Sequence, residues 1–396
     1  MQYAHTSAAE VRDVFALFGE KYKREHKLPL QQLNAMFAIE HCRTSVLGGH
    51  VDGCDSCGHK RISYNSCRNR HCPKCQGLSR IKWIDKLSSS LLPVRYFHIA
   101  FTIPSELNRL ALINQKCLYD ILFKAASQSL LMLAKDSKYL NADTGLVAVL
   151  HTWGQNLMEH PHLHTIVPAG GWDETAQCWK ASRKNFFIPV KVISAVFRGK
   201  FLALLKQAYR QGQLTFAGEI EPLGLKNNFK QLLDTLYGKP WVVFAKKPFK
   251  NANHIVEYLG RYSHRVAIGN NRILGIEEDQ VLFRWKDYKD NSKQKIMRLA
   301  STEFIRRFLL HILPRGFCKI RYFGIFSCRK RKTVLAKCGQ ALGYSFRKSR
   351  FSNLSWEQSL KLVSGVDVSL CPVCKKRNMM LITAFKCYRG PPPSIR

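Results

Sequence analysis

Acidic residues are scarce in this chain: 27 Asp and Glu stand against 63 Lys and Arg in 396 residues, a formal charge of +36. A surplus of that size exceeds what solubility needs and calls for a polyanionic partner, nucleic acid first. An anionic membrane is the other candidate, but the sequence has no apolar run of about 18 residues and no strongly amphipathic basic terminus. Neither a membrane partner nor a small-molecule substrate is expected. The start, Met1-Gln2-Tyr3, shows no basic stretch followed by an apolar one, so no secretory signal is expected and the chain should stay in the cytoplasm. Internal repeats are also missing. With 46% hydrophobic residues, the chain can still bury a core in two or three domains.

Cysteine is plentiful, and half of the 14 fall between Cys42 and Cys117. In a cytoplasmic chain such crowding points to metal rather than disulfides. Cys54-x2-Cys57 and Cys72-x2-Cys75 stand 14 residues apart. That is close to the spacing of a four-cysteine zinc site, in which two turns each present two thiolates to one ion. Residues 41 to 80 are poor in aliphatic side chains, so a zinc worth on the order of 10 kcal/mol would stabilise them where a core cannot. Cys42, His50, Cys67 and His71 lie nearby and could hold a second zinc, or could pack around the first. Cys371 and Cys374 form half of another such site, which Cys338 or Cys387 would complete only in part. From Ser56 to Ile84 there are seven basic residues and no acid, which points to DNA contact.

Apolar periodicity predicts two short helices between Val11 and Ile39, broken at Pro29. Strands are expected at Tyr96–Ile103, Leu146–Trp153, His162–Pro168 and, buried, at Trp241–Ala245. The second and third should pair as an antiparallel hairpin through a turn at 156–161. Helices are expected over 107–133, 190–211, 226–237 and 253–262. The expected division is 1–40 helical, 41–90 zinc-binding, 91–275 an α+β domain, 276–390 a basic region and 391–396 a disordered tail.

In His160-Pro161-His162-Leu163-His164, the alternation of a strand puts His162 and His164 on one face and Leu163 on the other. Two imidazoles so placed can share a divalent ion, magnesium or manganese for phosphate chemistry, that clamps a phosphodiester oxygen. A pair of ordinary strand histidines is the bland alternative. The third ligand should come from the neighbouring strand, with Gln155 preferred on turn geometry and His151 as the other candidate.

Ile255, Val256, Tyr258, Leu259 and Tyr262 make a helical stripe, with the two tyrosines one turn apart. Core packing would explain the stripe alone. Gly260, however, sits where it would let a DNA backbone approach. Arg261, His264 and Arg265 add positive charge, which a phenol with a pKa near about 10 needs in order to ionise and act as a nucleophile.

The segments NSCRNRHCPKCQ (65–76), HPHLHTIVPAGG (160–171) and YLGRYSHRVAIGNNRI (258–273), in this order, resemble the two-tyrosine HUH transposases of the insertion-sequence ninety-one type, over about residues 30 to 330. The resemblance implies an HUH endonuclease-like antiparallel sheet flanked by helices and preceded by a small zinc-binding domain. It also implies that His162 and His164 hold the metal and that Tyr258 and Tyr262 attack DNA. One tyrosine would form a 5′-phosphotyrosine bond and free a 3′-hydroxyl, and the other would serve the second transfer. The partners implied are single-stranded DNA at the element ends and target DNA, in the bacterial cytoplasm and at the nucleoid. A rolling-circle replication initiator, or a non-catalytic zinc-dependent DNA-binding protein, would share parts of this pattern.

From Phe304 to Trp356 there are 13 Lys and Arg and no acid, with Phe317, Tyr322, Phe323 and Phe326 interleaved. Charge should hold phosphates, above all at Arg329, Lys330, Arg331 and Lys332 and at Arg261 and Arg265, while exposed rings would stack on bases.

Overall fold

The computed structural model describes residues 9–183, 188–249, 254–256, 259–260, 267–288 and 290–386, and the fold is α+β. The chain divides into two compact units, each discontinuous in sequence.

One unit takes in Trp83–Ser263 and Leu313–Ser349. Its centre is a sheet of β1 (Tyr96–Thr102), β2 (Gly145–Trp153), β3 (Glu159–Pro168), β4 (Val243–Phe249) and β5 (Ile320–Gly324). The order is β5-β2-β3-β1-β4, with every neighbouring pair antiparallel. On one face, Phe97, Ile99, Phe101, Ala148, Leu163 and Val167 share a core with the helices Gln115–Lys135 and Val190–Arg210. The first of these helices is long and apolar enough to cross a membrane, but Leu118, Leu122, Ala125 and Leu130 are buried in this core. Because side chains alternate, Tyr96, Val147, Val149 and Ile166 point to the other face. There they join a second buried cluster that contains Leu87, Leu91 and the helical residues Ile255, Val256 and Leu259.

Three expectations change here. The helix expected over 107–133 is broken at Asn114, whose side-chain amide and carbonyl bond both backbone groups of Thr215. The strand expected to be buried at Trp241–Ala245 is β4, which among the described residues lies at the edge of the sheet; Trp241 and Val243 are buried in the core, while Val242 and Phe244 are exposed. The segment 276–390, expected to be one region, is shared out: Ile320–Gly324 is a strand of the central sheet, whereas Met379–Phe385 pairs with Gly49–Cys54 in the other unit.

The other unit collects Met1–Lys82, His264–Ile312 and Arg350–Arg396. The helices Val11–Glu25 and Leu30–Glu40 match the two expected, and the first meets the helix Ser301–Leu310 through an edge-on contact of Phe15 with Phe308. Strands Ile273–Glu277, Gln280–Asp287 and Lys293–Ala300 form one three-stranded sheet. A second has Gly49–Cys54 between Lys60–Tyr64 and Met379–Phe385. The expected boundaries at 40, 90 and 275 do not coincide with these units, because strands pair irrespective of their distance along the chain.

Candidate metal centres

The register of β2 on β3 sets His151 directly opposite His162, and His164 follows on the same face. His162 Nε2 lies 3.0 Å from His164 Nε2 and 3.1 Å from His151 Nδ1. Metal–nitrogen bonds of about 2.1 Å at right angles put neighbouring nitrogens about 3.0 Å apart, so the three histidines fit a common ion. Second contacts orient two of the rings. His162 Nδ1 donates to the His160 carbonyl at 2.6 Å, which leaves Nε2 with its lone pair. His164 Nδ1 is 2.9 Å from Nε2 of His98 on β1, and in the tautomer in which His164 Nδ1 donates, His164 Nε2 also keeps its lone pair.

Burial keeps His162 and His164 neutral, the form that binds metal. It pushes His162 down to about 3, helped by the neighbouring His160 and His98. It holds His164 well below the usual imidazole range, with His162 and His98 adding to the effect. His98 is lowered to about 4 by burial and by Lys246.

Gln155, expected as the third ligand, lies in the turn beyond the ladder, and His151 stands opposite the pair instead. The expectation had β3 starting at His162. It starts at Glu159, pairing Trp153 with Glu159, and that extra length carries Gln155 past the last pair.

The cysteines form two sets, and the expected grouping of Cys54, Cys57, Cys72 and Cys75 is corrected. Cys42, Cys67, Cys72 and Cys75 come together, with Cys42 and Cys67 Sγ at 3.4 and 3.5 Å from Cys75 Sγ. Cys54 and Cys57 instead meet Cys371 and Cys374. The hairpin Gly49–Tyr64 explains the split. It carries Cys54 and Cys57 at its tip, while Asn65, next to its base, bonds the backbone of Arg43 and Gly48 beside the first set. Its paired residues, Gly49↔Tyr64 to Gly53↔Lys60, hold tip and base about 13 Å apart, too far for one ion. His50 and His71 are in neither set: His50 Nε2 faces Asp52 at 3.6 Å and His71 Nδ1 faces Asn69 Oδ1 at 3.1 Å.

A family model described as "Transposase zinc-binding domain" matches residues 14–103, and one described as "Putative transposase" matches residues 145–333. The "Putative transposase y4qJ" of Sinorhizobium fredii is 44% identical over 389 residues, covering 98% of each chain. The chain belongs to the IS91-type family of transposases. The "Transposase for insertion sequence element IS801" of Pseudomonas savastanoi pv. phaseolicola is 29% identical over 350 residues, covering 87% of this chain and 81% of that one. No solved structure matches the transposase. Its zinc-binding segment and its cysteine sets support structural zinc.

The aromatics expected to stack on bases belong to the core of the transposase. Phe317 and Phe326 are buried, Phe323 packs near Phe123, and Trp83 Nε1 donates to the Tyr322 hydroxyl at 3.1 Å. The acid-free composition that suggested a wholly DNA-facing region hid β5, whose rings fill both sides of the sheet. Arg329, Lys330, Arg331 and Lys332 are exposed; Lys330 lies 3.5 Å from Asp143, and Arg331 bonds Ser90. Gly260, expected to admit a DNA backbone, is buried against Ile84, whose Cδ1 would lie 2.4 Å from an added Cβ. Tyr258, Tyr262, Arg261 and Arg265 lie outside the described residues.

Proposed function

We propose that this transposase nicks and rejoins single-stranded DNA at the ends of its element through a 5′-phosphotyrosine link, in a rolling-circle route. The carrying observation is a shared face. His151, His162 and His164 project from the side of the sheet on which Ile255, Val256 and Leu259, neighbours in sequence of Tyr258 and Tyr262, are packed. The stripe, for which core packing was the plain alternative, is core at those three positions, on the face that also bears the histidines.

In the proposed reaction the phenolic oxygen of one tyrosine attacks the scissile phosphorus. A phosphorus–tyrosine bond forms, the bond to the 3′-oxygen breaks, and that oxygen takes up a proton. The 3′-hydroxyl stays available to reverse the exchange on another strand, with Tyr262 or Tyr258 serving the second transfer, and no ATP is needed because one phosphodiester bond replaces another. His151, His162 and His164 would hold the divalent ion, which when bound supplies positive charge to a non-bridging phosphate oxygen. Three imidazole nitrogens suit a first-row transition ion better than magnesium, so manganese is the better fit of the two metals expected. His98 acts as a positioning residue: His98→Ala should weaken manganese binding by about 10- to 100-fold. Unchanged affinity would remove that role.

Cys42, Cys67, Cys72 and Cys75 are the proposed ligands of the structural zinc in the head. Arg329, Lys330, Arg331, Lys332, Arg261 and Arg265 are proposed to hold phosphates. If about 6 to 10 phosphates are engaged, affinity for single-stranded DNA should fall by roughly three to five orders of magnitude between 50 and 200 mM salt. A flat titration would contradict this. Action on DNA puts the transposase in the cytoplasm at the nucleoid.

The reaction itself is tested by incubating the purified protein with single-stranded element ends and manganese, then denaturing. A covalent protein–DNA adduct, with a new 3′-hydroxyl end, is the expected product. Absence of any adduct would favour a non-catalytic DNA-binding role.

A further inference from the structure

We infer that Cys54, Cys57, Cys371 and Cys374 bind a second structural zinc, which fastens the C-terminal strand to the N-terminal head. Cys54 Sγ lies 3.5 Å from Cys374 Sγ and Cys57 Sγ lies 3.6 Å from Cys371 Sγ; all four sulfurs fall within 4.8 Å of one another. These separations are far beyond a disulfide bond of about 2.05 Å. They approach the edge of about 3.8 Å of a tetrahedron with zinc–sulfur bonds of about 2.3 Å.

The two halves are built alike although they are more than 300 residues apart. In each, the residue after the second cysteine turns left-handed and its N–H donates to the carbonyl of the first. Gly58, with φ of 70°, bonds Cys54 O at 2.8 Å, and Lys375, with φ of 59°, bonds Cys371 O at 3.0 Å. The amide of each first cysteine then bonds the carbonyl five residues on, Cys54 to His59 and Cys371 to Lys376, both at 2.9 Å. Two such turns facing each other are the architecture of a four-thiolate zinc ribbon. Lys375, Lys376 and Arg377 follow the second turn, and their charge suits the net negative charge of four thiolates around one zinc.

The mechanical need is also visible. Among the described residues Met379–Phe385 has one strand partner, and Met380, Leu381 and Ile382 are all more than half exposed. Its apolar burial is slight, so a cross-link closing a very long loop would supply the anchoring that packing does not.

The test uses the full chain. Zinc content by atomic emission should give one ion for each thiolate set, and cobalt substitution should show thiolate-to-cobalt charge transfer, which the histidine centre cannot produce. Cys371→Ser with Cys374→Ser should remove one ion and about half of that absorbance. Adding Cys54→Ser and Cys57→Ser should remove nothing more, whereas Cys42→Ser with Cys67→Ser should remove the other ion. Full zinc content in the Cys371/Cys374 variant overturns the inference. Because a variant can fail to fold, wild-type protein is also alkylated while chelator is titrated in. Cys54, Cys57, Cys371 and Cys374 should resist together and become reactive together. Alkylation of the half-exposed Cys374 in fully zinc-loaded protein, or an intact mass lower by two hydrogens for a disulfide among these four, would refute it.

Discussion

His162→Ala, His164→Ala and His151→Ala should each slow nicking of a single-stranded end by at least about a thousandfold, while Gln155→Ala should change it by less than a few-fold. The size follows from what the ion contributes: several kcal/mol of charge stabilisation, at about 1.4 kcal/mol per factor of ten. The three histidine variants should lose manganese binding in calorimetry in parallel with activity, and should keep the far-ultraviolet signature of the sheet. His151 carries the sharpest version of the prediction, since its place opposite His162 comes from the strand register alone. If Gln155→Ala lost metal binding and His151→Ala kept it, the assignment drawn from the 3.1 Å contact would be wrong.

The double variant Tyr258→Phe, Tyr262→Phe should give no covalent DNA adduct, a drop of about 10⁴ or more in cleavage, because loss of the attacking atom leaves only binding and charge stabilisation. Phenylalanine keeps the ring and removes only the hydroxyl, so the effect reads the hydroxyls. Single variants divide the labour. The variant lacking the first attacker should form no adduct at the donor end, and the other should form the adduct but fail to complete strand transfer. Adduct formed by the double variant at the wild-type rate would rule out this helix as the source of the nucleophile.

Local chemistry was legible where it depended on neighbours in sequence. The alternation His162-Leu163-His164 put two imidazoles on one face, and Leu163 is indeed in the opposite core. The helices either side of Pro29 and the hairpin of β2 with β3 were likewise readable, because periodicity and turn residues act within a few positions. What misled was composition taken over long stretches. An acid-free segment rich in rings suggested a DNA-stacking surface, yet Phe317 and Phe326 are buried, since basic residues can edge a strand whose aromatics face inward. Cysteines close in sequence suggested one site, and the stiff hairpin between them forbids it. A signal for the correct partners was present in the equal Cys-x2-Cys spacing at 371–374, but spacing says nothing of which pair meets which.

The sequence by itself determined that this protein is basic and rich in cysteine, and that His162 and His164 share one face of a strand, because residue types and short periods carry charge, ligand chemistry and face. Only the tertiary structure decided that His151 stands opposite His162, that His98 lies beside His164, and that Cys54 and Cys57 meet Cys371 and Cys374. Each of those pairings is made by strand register or by a hairpin's length. Both are properties of segments brought together across tens to hundreds of residues, where no local pattern reaches.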